Sequence, residues 1–403
     1  MFRRFVLGVC LLGHILRFQW RINTQKHFAE PCLAQSNYSA PAANTIEISI
    51  FGSVVGESIV IHLSPTEWLI VDSCLHAESK KPAAIHYLEA MGLDPAAVVK
   101  LIVLTHWHDD HVTGAGEIVE RCQAAALALP QAMSCDEFIQ FLSTYAKPDF
   151  VLDRETSPLK EFRRIARIRD ERVKRNTAFA HPDWASANKL LFKTSSGAVI
   201  ALSPSNRAIA DALTEFAQLI AEGRTNRRVP VAPDRNENAV SLWLASGEYR
   251  VLLGSDLQES KQADNGWQAV ITCKHFPDGV AGTFKIPHHG SHNAHSDRVW
   301  SNLVRNHDAV AAVTTYIRGV KLPKPSDVAR LKSKTNAVYC TTPVPEATPK
   351  RNPVVERTMK EILVNRRVLR GRTTGHIRIR VDTSSGPPYS EQVDLFGAAT
   401  LLT

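Results

Sequence analysis

Residues 104–114 read LTHWHDDHVTG, and the pattern H-x-H-x-D-H within them is the most informative feature of the chain. Three imidazoles and two carboxylates stand within six residues, directly after an apolar run. Burying these groups without partners would cost on the order of several kcal/mol, so they are expected to converge on a shared partner. Imidazole nitrogen and carboxylate oxygen together form the ligand set of Zn²⁺, with Mn²⁺ and Fe as competitors.

The spacing of the motif predicts two ligand pairs rather than one. His106 and His108 alternate in phase at a strand end, so both can face one metal ion. Asp110 and His111 lie one turn further on and can face a second ion. The sequence therefore predicts a mononuclear or dinuclear centre that holds one or two Zn²⁺ ions, with Mn²⁺ as the alternative metal.

The patterns on either side of the motif predict an α/β fold. Period-two alternation and short apolar runs predict strands at 46–50, 58–63, 68–72, 98–104, 198–202, 240–244, 251–253, 284–286, 309–316 and 337–339. Helices are predicted at 83–91, 207–221 and 325–334, and a helical insertion at about 123–190, whose stretch 160–175 is crowded with Arg and Lys. Alternating strands and helices are typical of layered α/β folds and exclude a helix bundle or an all-β sandwich.

The motif resembles the H-x-H-x-D-H signature of the metallo-β-lactamase superfamily, and further elements extend this resemblance from about residue 52 to 291. Asp72 ends a strand ahead of the motif, as in that superfamily. Asp256 follows the strand 251–253, where the family places an aspartate that bridges two metals, and the loop PHHGS at 287–291 stands where it places its last histidine ligand. The resemblance implies a four-layered αββα metallo-β-lactamase sandwich whose metal ligands are His106, His108, Asp110, His111, Asp256 and His289.

A narrower resemblance concerns the hydrolase domain of ComEC competence proteins. Residues 52–61, GSVVGESIVI, look like its D-V-G-Q-G-D-A-I-L-I opening, and residues 236–242, NENAVSL, look like its N-N-x-S-L-V-L element. Because proteins of this group are regarded as DNA-degrading or phosphodiester-cleaving hydrolases, the resemblance implies a nuclease or phosphodiesterase activity. Nucleic acid or a nucleotide is then the expected substrate.

The chain departs from the family pattern in one ligand position. The superfamily supplies a further histidine between the motif and the bridging aspartate, but residues 201–205 read ALSPS, and His181 is interpreted as a surface loop residue. Alignment with the G-H-A-S turn of related nucleases favours His289 over its neighbour His288 as the metal ligand. Filling of both metal positions therefore stays open.

Several further residues are candidates for supporting or catalytic roles. His288, Lys285, Asn238 and Ser291 are expected to support the ligands or to contact substrate. A metal ion lowers the pKa of its bound water from 15.7 to about 7 and so supplies hydroxide at neutral pH. Asp110 and Asp72 are the candidates that orient or deprotonate this water and position the ligand histidines.

Composition agrees with this interpretation without selecting a substrate. The chain has 403 residues, 44% of them hydrophobic, which excludes disorder for most of its length, and its net charge of +8 is compatible with a polyanionic substrate. Two other functions stay open: hydrolysis of a small ester, lactam or thioester, and a non-catalytic module that binds metal or nucleotide.

The ends of the chain and its cysteines bear on location. Seven scattered cysteines without a C-x-x-C pair favour a reducing compartment, so a cytoplasmic location is predicted. Residues 1–43 are interpreted as a disordered leader and linker, 44–384 as the hydrolase domain and 385–403 as a C-terminal tail. The alternative is export, if residues 1–34 act as a signal peptide. No segment is long enough to be an integral membrane span, and the oligomeric state is left open.

Overall fold

Two eight-stranded sheets pack face to face in the computed structural model. It describes residues 38–53, 55–134, 138, 157–177, 181–226, 236–318, 320–344 and 373–402. Each sheet contains both antiparallel and parallel pairs of strands.

The strands have the following bounds. The first sheet comprises β1 (Thr45–Gly52), β2 (Glu57–Ser64), β3 (Glu67–Val71), β4 (Val99–Val103), β5 (Ala126–Pro130), β6 (Asp183–Ala185), β14 (Gly375–Asp382) and β15 (Glu391–Gly397). The second comprises β7 (Lys189–Lys193), β8 (Ala198–Ala201), β9 (Leu242–Ser246), β10 (Tyr249–Leu253), β11 (Thr283–Lys285), β12 (Val310–Val313), β13 (Val338–Cys340) and β16 (Thr400–Leu401).

The strand order places the parallel strands of each sheet together. The first sheet has the order β15-β14-β1-β2-β3-β4-β5-β6, in which β3 to β6 run parallel and the other pairs are antiparallel. The second has the order β16-β13-β12-β11-β10-β9-β8-β7, in which β10 to β13 run parallel and the pairs at both ends are antiparallel.

Helices cover the outer face of each sheet. They are α1 (Ala83–Ala90), α2 (Pro95–Val98), α3 (Asp109–Val112), α4 (Ala115–Arg121), α5 (Ser157–Lys174), α6 (Asn206–Asn226), α7 (Gly266–Ile271), α8 (Asp297–Leu303) and α9 (Pro325–Lys332). Short 3₁₀ helices lie at Gln131–Ser134, Asn236–Asn238, His288–Gly290 and His292–Ala294. None of the helices in the described ranges is long and apolar enough to cross a membrane.

Three apolar clusters separate the four layers. Alternate residues of β1, such as Ile48 and Ile50, point between the two sheets and pack there with Leu242 and Val251. A second cluster lies between the first sheet and its helices, and a third, which includes Trp267, lies between the second sheet and its helices. This order of helix, sheet, sheet and helix confirms the predicted αββα sandwich.

Two regions differ from the sequence interpretation. The section at about 123–190 contributes β5 and β6 to the first sheet as well as helix α5; of residues 135–156 and 178–180, only Phe138 lies within the described residues. Residues 385–403, interpreted as a tail, contribute β15, which pairs with β14, and β16, which pairs with β13. The side chains of β15 are mostly exposed or half-buried, so its sequence carries little hydrophobic signal.

The predicted leader falls mostly outside the described residues, which begin at Tyr38. The Tyr38 ring packs edge-on against Tyr87 and Phe396, with centroids 4.9 and 5.3 Å apart. The last residues of the expected linker therefore pack on the folded unit.

Candidate metal centre

The candidate site lies at one edge of the sandwich, where parallel strands of both sheets end. Asp72 follows β3, the H-x-H-x-D-H motif follows β4, Asp256 follows β10 and His289 follows β11. Because the carboxyl ends of parallel strands open at the same edge of a sheet, residues far apart in sequence meet there. The short helix α3 begins at Asp109 and places Asp110 and His111 on its single turn.

Three groups of side chains in the described residues have their ligand atoms within 4.8 Å of one another; one of them, Glu57, Asp72 and His111, contains a single predicted ligand, and the other two contain all six. The first ligand group contains His106, His108 and Asp256, and the second ligand group contains Asp110, His111, Asp256 and His289. All six residues predicted as metal ligands therefore converge. The sequence predicted the pairing of His106 with His108 and of Asp110 with His111 from their spacing alone.

Asp256 belongs to both groups and presents one carboxylate oxygen to each. Its Oδ2 lies 3.8 Å from His106 Nε2, and its Oδ1 lies 3.4 Å from His111 Nε2. In the second group, Asp110 Oδ2 lies 3.0 Å from His289 Nε2 and 3.9 Å from His111 Nε2. Separations of this size leave room for an ion between the atoms of each group.

The donor atoms fit a metal because several are buried without a hydrogen bond. Within the described part of the chain, His106 Nε2, His111 Nε2 and Asp256 Oδ1 have no hydrogen-bond partner. Buried polar atoms are nearly always paired, so unpaired ones in both ligand groups are the arrangement that metal ions would satisfy. Nitrogen and carboxylate donors in this combination suit Zn²⁺ and also Mn²⁺.

Charge and burial within the cluster favour the metal-binding protonation state at Asp256 and His106 but oppose it at His111. Burial opposes the charge on Asp256, but protonated His111 and His289 outweigh it and hold the pKa of this carboxyl well below its usual range. Burial, with help from the neighbouring histidines, lowers the pKa of His106 well below its usual value, so the ring is neutral. Burial opposes charge on His111 too, but Asp256, Asp72 and Asp110 raise its pKa well above the usual value. Metal binding would therefore release a proton from His111.

Asp72 holds His111 in place from behind. Its Oδ2 lies 2.7 Å from His111 Nδ1, and the Thr105 amide and hydroxyl each donate to the carboxylate at 2.7 Å. The sequence interpretation also gave Asp72 the task of deprotonating water. The geometry contradicts that part, because the carboxylate is 1% exposed and both oxygens already accept hydrogen bonds.

His289 turns into the cluster while His288 turns away. Both have left-handed backbone conformations, with φ of 47° at His288 and 54° at His289. His289 Nδ1 lies 3.1 Å from the Thr314 carbonyl oxygen, and its Nε2 faces Asp110. His288 Nδ1 lies 2.9 Å from Asn293 Oδ1. The structure therefore places His289, the histidine that the loop alignment favoured, among the candidate metal ligands.

Two other candidates lie outside both groups. Lys285 was expected to support the ligands or to contact substrate; its side chain is 0% exposed and its Nζ is paired with the Glu57 carboxylate. Contact with substrate is therefore wrong, because a fully buried ammonium group cannot reach a substrate, and the supporting alternative stays a prediction. Ser291 lines a small cavity with Trp267 and Trp300 in the outer helix layer.

Asn238 lies beside the first ligand group. With His106 and His108 it lines a pocket of about 430 Å³, and its Oδ1 is buried without a hydrogen-bond partner in the described residues. Ser203, where the family supplies a further histidine, donates its hydroxyl to the Ala239 carbonyl and accepts from the Ser241 amide. The first group therefore gains no side-chain ligand from that loop, and His181 is exposed.

Sequence reasoning missed three residues that support the cluster: Glu57, Thr105 and Thr314. Thr105 directly precedes the motif, and Glu57 stands where the ComEC opening has an aspartate, so each had a local signal. Thr314 had none, since only the packing of β12 beside β11 brings it to His289.

Solved structures that resemble the chain are metallo-β-lactamase-fold proteins. YhfI from Bacillus subtilis, a metallo-beta-lactamase fold protein, is 11% identical with a TM-score of 0.37, and the similarity covers 73% of this chain and 95% of that one. The metallo-beta-lactamase SMB-1, bound to 2-mercaptoethanesulfonate, is 16% identical with a TM-score of 0.29, over 54% of this chain and 67% of that one. A HARLDQ motif mutant of a metallo-beta-lactamase from Cronobacter sakazakii is 13% identical with a TM-score of 0.29, over 59% and 66%. No curated protein matches the chain.

The family model of the metallo-beta-lactamase superfamily matches residues 53–131. The matched segment contains Glu57, Asp72 and the whole H-x-H-x-D-H motif, while Asp256 and His289 lie beyond it. Together with the two sheets and their outer helices, this match shows the metallo-β-lactamase sandwich fold. It supports the broad class of metal-dependent hydrolases, and the narrower resemblance to ComEC hydrolase domains stays a prediction.

Proposed function

We propose that this protein is a hydrolase whose two ligand groups hold a pair of metal ions side by side. The observation that carries the proposal is the position of Asp256, which presents one oxygen to each group. A shared carboxylate between two nitrogen-rich groups is the arrangement that a two-metal centre requires. Zn²⁺ is the first candidate and Mn²⁺ the second.

Each ligand has a defined role in this proposal. His106, His108 and Asp256 would hold one ion, and Asp110, His111, Asp256 and His289 would hold the other. A bound ion would supply a hydroxide at neutral pH and would offset charge on the leaving group. Asp110 is the most exposed of the second group's carboxylates, at 11% against 3% for Asp256, so it is the side chain placed to orient water or accept its proton.

The proposed substrate is a phosphodiester in nucleic acid or a nucleotide. A cleft of about 1010 Å³, its open mouth included, lies beside Asp110, and its lining includes Lys80 and Arg318, whose positive charges can face an anionic chain. Arg318 is 63% exposed and pairs with Asp109 at 3.0 Å, so its guanidinium stands at the cleft surface. The basic helix α5 offers less positive charge to an anionic substrate than its composition suggests. Arg164 pairs with Glu120, and Arg172 donates to backbone carbonyls at the end of α4.

A second candidate function rests on the pocket beside the first ligand group. Trp107, Met133 and Phe216 give it a mainly apolar wall next to His106 and His108. Such a wall suits the hydrocarbon part of a small ester, lactam or thioester. A non-catalytic module that binds metal or nucleotide is the remaining alternative, and a cytoplasmic location stays a prediction.

Activity measurements separate these functions. The metal-loaded protein is assayed with single- and double-stranded DNA, cyclic nucleotides, bis(p-nitrophenyl) phosphate and p-nitrophenyl esters, in Zn²⁺ and in Mn²⁺. We expect phosphodiester cleavage that falls at least about 100-fold in Asp110→Ala, because this change removes both a ligand and a candidate proton acceptor. The matched control is Asp183→Ala, an exposed carboxylate at the edge of the first sheet.

Three other results would change the assignment. Cleavage of esters alone would favour the second candidate function. Equal activity of Asp110→Ala and the unmodified protein would contradict the catalytic role of Asp110. Absence of cleavage of every substrate would favour the non-catalytic module.

A further inference from the structure

A buried ion pair joins the two sheets underneath the ligand groups. Glu57 is the first residue of β2 in the first sheet, and Lys285 is the last residue of β11 in the second. Their side chains are 1% and 0% exposed, and Lys285 Nζ contacts Glu57 Oε2. Glu57 forms a further group with Asp72 and His111, but its Oε2 contacts Lys285 and accepts from Thr314, and neither Glu57 nor Lys285 belongs to the two groups that share Asp256.

The lysine of this pair holds the two loops that carry ligands from the second sheet. Lys285 Nζ donates to the Ser255 carbonyl oxygen at 3.3 Å. The same oxygen accepts the His288 amide at 2.9 Å, so it joins the residue before Asp256 to the residue before His289. Ser255 has a left-handed φ of 47°, a conformation that persists only when its surroundings hold it.

The glutamate of the pair acts on His289 through Thr314. The Thr314 hydroxyl donates to Glu57 Oε2 at 2.6 Å. Because its hydrogen is used in that bond, the hydroxyl can only accept from His289 Nδ1, which lies 3.2 Å away. The Thr314 carbonyl oxygen, 3.1 Å from the same nitrogen, is also an acceptor. These contacts make His289 Nδ1 a donor, so Nε2, which lies beside Asp110, is the atom that would lose its hydrogen and bind a metal ion.

The position of the two sheets relative to each other matters for metal binding, because both sheets supply proposed ligands. The first sheet supplies His106, His108, Asp110 and His111, and the second supplies Asp256 and His289. A small displacement of one sheet edge against the other would therefore separate the two halves of both groups. A buried ion pair adds little net stability compared with an apolar pair of similar size, so stability alone does not account for its presence.

We propose that the Glu57–Lys285 pair is a positioning device that places Asp256 and keeps His289 Nδ1 a donor, so that Nε2 is the atom offered to a metal ion. Glu57, Lys285 and Thr314 are then positioning residues and do not touch the reacting atoms. The inference rests on the proposed function only in requiring that the two groups bind metal. It does not depend on the substrate or on hydrolysis.

The test replaces both charges at once by the double substitution Glu57→Met with Lys285→Met. Removing the pair together leaves no unpaired charge in the interior, so we expect a folded protein with little change in melting temperature. Without Glu57, the Thr314 hydroxyl is free to donate to His289 Nδ1 and favour the wrong tautomer. We expect the affinity for Zn²⁺, measured by competition with a chromogenic chelator, to fall about 10- to 100-fold.

A matched control is the double substitution Glu47→Met with Arg380→Met. Glu47 and Arg380 also form an ion pair, 2.8 Å apart, with Glu47 buried and Arg380 half-buried, but they join β1 to β14 within the first sheet. This control is expected to leave Zn²⁺ affinity unchanged. If both double variants bind Zn²⁺ like the unmodified protein, or lose affinity equally, the inference is wrong.

Two further measurements keep the test decisive. In the Zn²⁺-loaded protein, nitrogen NMR shifts are expected to report the Nδ1–H tautomer of His289, with the other tautomer populated in the Glu57/Lys285 variant at the same Zn²⁺ concentration. If that variant does not fold, Thr314→Val removes only the hydroxyl, and it is expected to weaken Zn²⁺ binding about 10-fold. An unmodified protein that binds no metal would overturn the proposed function as well, whereas unchanged binding in the variants would overturn this inference alone.

Discussion

At the scale of single residues, the site depends on how side chains are held as much as on which side chains are present. The H-x-H-x-D-H spacing predicted that four side chains lie as neighbours, because strand and helix periodicity alone places them. The choice between His288 and His289 depends on two consecutive left-handed residues, which spacing does not encode. The role of Thr314 comes only from tertiary packing, so no local pattern could have predicted it.

The substitution Asp72→Asn tests directly whether Asp72 positions the His111 ring. The asparagine amide keeps the shape of the side chain but cannot accept from Thr105 and His111 as a carboxylate does. We expect Zn²⁺ affinity to fall about 10- to 100-fold while the fold is retained, because the His111 ring loses the partner that fixes its tautomer. The affinity is measured by calorimetric titration, and an unchanged value would show that Asp72 does not position His111.

At the scale of elements, the strands and helices near the motif agree with the sequence patterns. Each predicted strand between 46 and 104 and the helix predicted at 83–91 is present within a few residues of its expected bounds. The patterns failed at β15 and β16, where weak alternation and a two-residue strand give little signal. These strands form by pairing with β14 and β13, which only the folded chain brings beside them.

At the scale of the whole molecule, the two halves of the metal centre come from different sheets and different parts of the chain. The family match ends at residue 131, whereas Asp256 and His289 come from the second sheet. The net charge of +8 does not by itself select a substrate, since Arg164 and Arg172 are engaged within the fold. The proposal of an anionic substrate therefore rests on the cleft beside Asp110 and not on the net charge.

The buried ring of His376 makes the stability of the whole fold depend on pH. Burial first, and then the charges of Arg378 and Arg380, lower the pKa of His376 well below its usual value. The ring stays neutral in the folded protein but takes up a proton in the unfolded chain below about pH 6.5, so stability falls as pH falls. This one residue is expected to remove up to about 2 kcal/mol of unfolding free energy between pH 7.5 and pH 5.

His376→Phe isolates this effect because phenylalanine keeps the ring stack on Phe51 and Phe396. Urea unfolding of both proteins, with chelator present, is measured at several pH values. The variant is expected to lose less stability on acidification than the unmodified protein, whatever its stability at pH 7.5. Parallel curves for the two proteins would show that His376 is not held neutral by the fold.

The proposed two-metal centre is tested most directly by counting the metal ions that the protein holds. Metal-free protein is titrated with Zn²⁺ and then desalted, and the bound metal is measured by elemental analysis for the unmodified chain and for Asp256→Ala. We predict about two ions per chain in the unmodified protein, and less than one in Asp256→Ala, since that carboxylate serves both groups. The two-metal centre would be contradicted if the unmodified protein held no metal after this treatment, or if both proteins held the same amount of metal.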